Sequence, residues 1–251
     1  DWIRINKLTP RLVDVLPNGP HGFPTSVFFS AGGVPEVMLK LRNEGLLHLN
    51  VLTATGKTLG ENLDWWEQSE KRKFVRNKLI DQRKIDPEDV VHSLGNSKRK
   101  KMTSTVTFPK GNIAPEGSVV KSTAIDKSVI DDDGVYRKIG PARIFISEAD
   151  AIKAVKDKGP NGVKPGDIMV IVCGGPKGTG MQEVAQITIA LKYLSYGKEV
   201  ALITDGRFSG VSTGACIGHI GPEALDGGPI GKLKEDDLIE ITIDTINLEG
   251  S

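Results

Sequence analysis

The sequence predicts an α/β protein in which a β-barrel-like α/β domain follows a largely helical first part. Three observations predict it. Residues 167–173 and 200–203 are apolar runs of strand length, each followed by a glycine-rich polar turn and a segment able to start a helix. Strand, loop, helix, strand, loop, helix most often makes two parallel neighbours joined by a right-handed crossover. Beyond residue 103, short β segments alternate with Pro and Gly, as in barrels. Before it, the chain is mostly charged and helical in period.

In chain order, residues 11–16 are strand-like and residues 17–20 turn. Residues 23–45 are largely helical; Pro35 suits the first turn after the Gly32-Gly33 break, and Gly45 can end the helix. A short apolar stretch, 46–52, leads into the polar turn 53–58 before a helix from Leu59. Gly56-Lys57-Thr58 looks like the end of a phosphate-binding loop. The full pattern needs a glycine five residues earlier, where Val51 stands, so nucleotide binding is disfavoured. Residues 65–94 are charged and helical, with Trp65-Trp66 read as a packing pair. The basic run at 97–101 reads as a solvated loop, because no aromatic residue interleaves it. A boundary near 94–104 divides the chain into domains 1–95 and 96–251.

The second part offers strands at 103–108, 118–121, 142–146, 231–233 and 238–243, with another at 245–248. Residues 147–156 read as a helix with Ser147 as N-cap and Asp150 in its first turn. Residues 181–196 read as the crossover helix and 215–220 as the start of the next.

Composition narrows the function. With 251 residues the chain can bury one large core or two smaller ones. A net charge of +1 gives no argument for nucleic acid or acidic lipid, and no apolar run reaches membrane-span length. Cys173 and Cys216 make neither a disulfide framework nor, without partners at ligand spacing, a metal site; they read as packing residues in a cytoplasmic protein. Absence of an initiating Met and an end directly after a strand-like run suggest a piece of a longer protein.

The chemistry concentrates in Thr204-Asp205-Gly206-Arg207-Phe208-Ser209-Gly210-Val211-Ser212-Thr213-Gly214, a polar loop with three glycines four apart on the end of a strand. By itself it also reads as a structural turn. If the two strands are neighbours, both glycine loops open at one sheet edge. Glu183, expected in the first turn of the crossover helix, then lies near Ser209. Left alone, Glu183 would merely suit the helix dipole; beside the loop it becomes a credible metal ligand. His219 reads as packed or hydrogen-bonded rather than catalytic.

At these residues the sequence resembles the dihydroxy-acid and sugar-acid dehydratase family. The motif at 204–210 carries the likeness. In order along the chain, so do Ala31-Gly32-Gly33-Val34-Pro35, Thr55-Gly56-Lys57-Thr58-Leu59-Gly60-Glu61-Asn62, Gly111-Asn112-Ile113-Ala114-Pro115-Glu116-Gly117, Gly178-Thr179-Gly180-Met181-Gln182-Glu183 and Gly221-Pro222-Glu223-Ala224. Residues 65–103 and 210–218 look most like the D-xylonate dehydratase branch, which points to a five-carbon sugar acid. The resemblance implies the end of an N-terminal α/β domain followed by a C-terminal, swivelling β-barrel-like α/β domain.

The activity so implied is removal of water from a 2,3-dihydroxy acid to give a 2-keto-3-deoxy acid. Ser209 matches the family's base. Glu183 matches the glutamate that this part of the chain gives to magnesium, although Gln182 stands where many members have proline. Ser212, Thr213 and Arg207 are implied substrate contacts. The implied cofactors are Mg2+ and an iron–sulfur cluster, [2Fe-2S], whose ligands lie in the missing N-terminal part and not in this chain. The expected partners are a small-molecule sugar acid and copies of the same chain in a homo-oligomer, with no nucleic acid and no membrane. The alternative is a non-catalytic swivelling module that serves assembly and is inactive without the N-terminal domain.

Overall fold

The computed structural model describes residues 1–209, 212 and 214–251. They fold as two units, one of residues 8–103 and one of residues 1–7 with 104–251. Helix α1 (Trp2–Leu8) opens the chain. In the second-named unit Asn6 Nδ2 donates to Val106 O at 2.9 Å and Lys7 pairs with Glu249 at 2.6 Å.

The unit of residues 8–103 is helical: α2 (Thr25–Ser30), α3 (Gly33–Asn43), α4 (Leu59–Gln68), α5 (Glu70–Arg83), α6 (Pro87–Val90) and α7 (Leu94–Arg99). Helix α4 starts where the sequence places it, because Thr58 and Glu61 form a reciprocal capping box. Trp66 is buried with Leu39 and Leu63, whereas Trp65 is exposed. Buried Glu36 is held by Arg72 at 2.8 and 2.9 Å and by Arg76 at 3.2 Å, so the burial of its charge is compensated. Strand expectation 11–16 reduces to one bridge, Val13 to Val91.

The other unit holds a curled seven-stranded mixed sheet. Its elements are β1 (Gly117–Val120), β2 (Val135–Phe145), α8 (Glu148–Lys156), β3 (Ile168–Ile171), α9 (Pro176–Thr179), β4 (Glu183–Val184), α10 (Gln186–Lys192), β5 (Ala201–Thr204), β6 (Arg207–Phe208), β7 (Cys216–Gly221), β8 (Leu238–Asp244) and β9 (Glu249–Gly250). The sheet order is β1-β7-β5-β3-β2-β8-β9, and β4 pairs with β6 apart from it. Val170, Ala201, Ile203, Ile217, Ile239, Ile241 and Ile243 face the inside of the curl. Met169, Ile171 and Leu202 alternate to the other face, against Ala151 and Val155 of α8 and Ile187 and Leu191 of α10. Residues 107–110 reach both edge strands: Thr107 bridges Val120, and Lys110 N donates to Gly250 O at 3.1 Å. Occupying both edges in this way suits a barrel-like α/β domain, the fold class expected.

The long strand β2 makes the curl. Residues 135–141 pair antiparallel with β8, and residues 142–145 pair parallel with β3. Gly140 sits at the changeover, with the Gly166 carbonyl where a side chain would go. A glycine there allows the bend. Gly140→Ala is expected to destabilise the protein by about 1–3 kcal/mol, the usual cost of overpacking, measured as a lower denaturation midpoint at unchanged slope.

Several expected elements differ. The helix expected over 181–196 is only α10, because Gly180 (φ 69) and Met181 (φ 66) stop α9 in left-handed backbone. Glu183 is therefore in a strand and not in a helix's first turn. Residues 215–220 are not helical. Residues 216–220 belong to β7, which fills the place between β5 and β1, so Cys216 begins a strand. Residues 229–232 form a 3-10 turn started by Pro229 rather than a strand. Residues 103–108 contribute one bridge, and the turn after β8 occupies residues 245–248. The 142–146 strand is the end of the longer β2.

Candidate active site

Two parallel neighbours build the site. β3 and β5 pair from Ile168–Ala201 to Ile171–Thr204, so their following loops leave the same sheet edge, as the two apolar runs predict. The loops touch. Gly174 N donates to Asp205 Oδ1 at 2.8 Å, and Cys173 N to Asp205 Oδ2 at 3.2 Å. A third loop joins them through Ala224 N, which donates to Asp205 Oδ2 at 2.9 Å.

Gly206 is pinched between these loops. A Cβ on it would stand 3.0 Å from both Gly174 O and Gln182 O, so a side chain would push the loops apart. From there the chain runs into β6, whose register with β4 sets Glu183 opposite Arg207 and Val184 opposite Phe208. Residues in register on adjacent strands point to the same face. Glu183 is thus one strand away from Arg207, and Ser209 follows β6 directly. Val184 is buried and anchors the pair, while the Glu183 and Arg207 side chains are exposed.

Arg207 Nε donates to Met181 O at 2.9 Å, which fixes the guanidinium beside the β4 turn. Ser209 is half-buried, and its carbonyl accepts Ser212 N at 2.9 Å. Ser212 is buried, with Oγ 3.3 Å from Thr188 Oγ1 on α10. Its hydroxyl braces the loop against that helix. The expected contact Thr213 lies outside the described residues.

His219 sits on β7 with φ 56, its amide donating to Gly206 O at 2.7 Å. Its ring stands edge-on to Phe208, centroids 6.0 Å apart. Burial, and then the Arg207 guanidinium, hold its pKa below the ordinary 6.5. His219 is therefore neutral at pH 7. Because its folded value lies under the unfolded one, it disfavours folding only in acid: its contribution is unchanged above about pH 6.5 and falls as pH drops through the folded value. Arg207→Gln is expected to raise the His219 titration midpoint toward 6.5, read from ring-proton shifts; an unchanged midpoint contradicts this electrostatic coupling.

An iron–sulfur cluster needs thiolates. Burial pushes the Cys216 thiol up to about 12, and burial with Asp205 and Glu223 nearby raises Cys173. With two cysteines, the chain does not offer the four thiolates that such a cluster takes. Among the described residues no group of three or more His, Cys, Asp or Glu side chains is placed to hold a metal ion. Magnesium is commonly held by one or two carboxylates with substrate and water completing the shell. An exposed Glu183 carboxylate fits that partial role. Among the described residues no helix is long and apolar enough to cross a membrane.

Two residues carrying this geometry, Asp205 and Glu223, escape a reading for catalysis. Both are buried carboxylates in glycine-rich turns; Glu223 accepts Lys177 N at 2.9 and 3.1 Å. An acidic residue among glycines at a strand end was the available signal.

Comparison with known proteins bears on the family. The model of the dihydroxy-acid/6-phosphogluconate dehydratase C-terminal domain matches residues 89–250, and that of the N-terminal domain matches residues 1–62. The chain is 62% identical over 251 residues to D-xylonate dehydratase YjhG of Escherichia coli (strain K12), covering all of this chain and 38% of that protein. It is 59% identical over 250 residues to D-xylonate dehydratase YagF of the same organism, with the same coverage. Dihydroxy-acid dehydratase 1 of Methanosarcina acetivorans is 41% identical over 240 residues, which are 95% of this chain and 38% of that protein. The chain thus spans well under half the length of these relatives.

Proposed function

The chain belongs to the dihydroxy-acid/6-phosphogluconate dehydratase family, and from that premise we propose that it forms part of a hydro-lyase acting on a sugar acid. The substrate is a five-carbon aldonate such as D-xylonate, and the product is a 2-keto-3-deoxy acid. Support for the substrate comes from the two D-xylonate dehydratases, the most similar of the relatives above. In this reading residues 1–95 are the end of the N-terminal α/β domain and residues 96–251 the C-terminal barrel-like domain.

One observation carries the catalytic assignment: the parallel register of β4 and β6, which sets a carboxylate, Glu183, one strand from the loop that bears Ser209. Ser209 is the base. As an alkoxide it takes the C2 proton, the C3–O bond breaks with loss of hydroxide, and the resulting enol becomes the 2-keto acid. The proton on Ser209 and the departed hydroxide together make the water released. A serine alkoxide needs nearby positive potential. Arg207, two residues earlier and tied to Met181 O, supplies part of it. Glu183 would hold magnesium, which when bound stabilises negative charge developing on the substrate's carboxylate and C2 oxygen. Arg207, Ser212 and Thr213 are assigned to the substrate carboxylate.

The test is production of 2-keto-3-deoxy acid from D-xylonate by the full-length protein with Mg2+. No keto acid from D-xylonate or any other aldonate would reject the reading and favour a non-catalytic module that serves assembly. This chain alone, offering one metal-binding carboxylate, is expected to be inactive.

A further inference from the structure

We infer that Asp205 is the positioning residue of this site: its buried carboxylate gathers backbone amides from two other loops and thereby sets the spacing between Glu183 and Ser209. The inference rests on the reading that those two residues work together.

Asp205 is 2% exposed. A buried carboxylate is tolerated only when well bonded. Here the bonds come from separate places in the chain. Cys173 N and Gly174 N follow β3, and Ala224 N lies beyond β7. Asp205 itself is the first residue after β5. One side chain therefore ties together three strand ends. Charge-assisted bonds of this kind are stronger than neutral ones.

From the clamp, short bonded paths lead to both functional residues. Toward Ser209 the path is the backbone 205–209. Toward Glu183 it runs from Gly174, whose carbonyl accepts Thr179 Oγ1 at 2.9 Å, to Gln182 N, which donates to Thr179 Oγ1 at 3.0 Å. Gln182 O accepts Arg207 N at 3.2 Å and closes the circuit. Glu223 reinforces it by accepting Lys177 N at the start of α9. A Cβ on Gly174 would stand 3.4 Å from Gly206 Cα, so the two loops are close-packed and a change at Asp205 is felt by both. Asp205 is given no contact with substrate; it acts through the loops it holds.

The test uses the full-length protein and Asp205→Asn. The amide side chain puts an N–H group where a carboxylate oxygen accepted. We expect hydrogen exchange at 173, 174 and 224 to speed up about tenfold or more while the central strands stay protected. Turnover should fall about 100-fold, by more than any rise in KM, because the reacting groups shift relative to each other. Ala224→Pro removes a single donor. Glu223, at φ −66 and ψ 160, already has the backbone a residue before proline requires. That variant should lose turnover about tenfold, a partial version of the same effect.

Wild-type turnover in either folded variant overturns the inference. So does exchange that accelerates uniformly through the sheet with turnover per folded molecule unchanged, the mark of a purely structural role. If neither variant folds, the wild-type amides decide: slow exchange at 173, 174 and 224 supports the clamp, and fast exchange rejects it. If the wild-type protein dehydrates no sugar acid, the proposed function fails, while the same exchange measurements still judge the clamp.

Discussion

Ser209→Ala in the full-length protein is expected to lower turnover of the sugar acid by about 1,000-fold, within the range that removal of a general base produces. The substitution deletes one oxygen from a half-buried loop residue whose backbone carbonyl still accepts Ser212 N. The loop keeps this bond and Asp205 keeps its three amides, so KM should change little. Loss confined to turnover is what distinguishes a group acting on the C2 proton from one that binds substrate. A substrate deuterated at C2 adds a check: if proton removal limits the wild-type rate, it slows that enzyme. Turnover near the wild-type level in Ser209→Ala would reject the base assignment outright.

The second large effect is expected at Glu183. Glu183→Gln preserves size and the β4–β6 pairing while removing the charge. Loss of an anionic oxygen ligand should raise the magnesium concentration for half-maximal activity about 100-fold or more, at or beyond the upper end of what loss of a ligand's supporting partners costs. Direct titration with Mn2+ as a spectroscopic stand-in should show the same weakening without any turnover. Excess metal should partly restore activity to Glu183→Gln and not to Ser209→Ala. Identical metal affinity in mutant and wild type would remove Glu183 from the metal site.

These expectations depend on features of unequal legibility. The strands β3 and β5 were plain as apolar runs ended by glycine turns, and their parallel pairing followed from the helix-length crossover. Helix α8 was legible from its Ser147 cap, whose side chain does accept Asp150 N. The strand β4 was not. Two residues carry no periodicity, and Glu183-Val184 becomes a strand only because Gly180 and Met181 turn the chain back along Arg207-Phe208. Nor was β7, since Ala215–Ile220 has the composition of either element until β5 offers an unpaired side. The first part of β2 hid for a related reason: Gly140-Pro141 reads as a break, while in the fold it marks the bend where the strand changes partners.

At the site, the nearness of the two glycine loops could be inferred from the strand order, whereas what holds them could not. Asp205 and Glu223 look like ordinary polar turn residues in the sequence. Their burial arises from the convergence of three loops, a tertiary fact with no local signature. Arg207 shows the same limit. Its neighbour across the register and its hold on Met181 O come from pairing alone.

One bound sugar acid is expected to meet both Glu183 and Ser209. A structure of the full-length protein with Mg2+ and an unreactive aldonate analogue tests it directly. The metal is expected on the Glu183 carboxylate and the Ser209 hydroxyl against C2 of the same ligand. A metal coordinated wholly by other residues, with Glu183 turned to solvent or Ser209 away from C2, would contradict it.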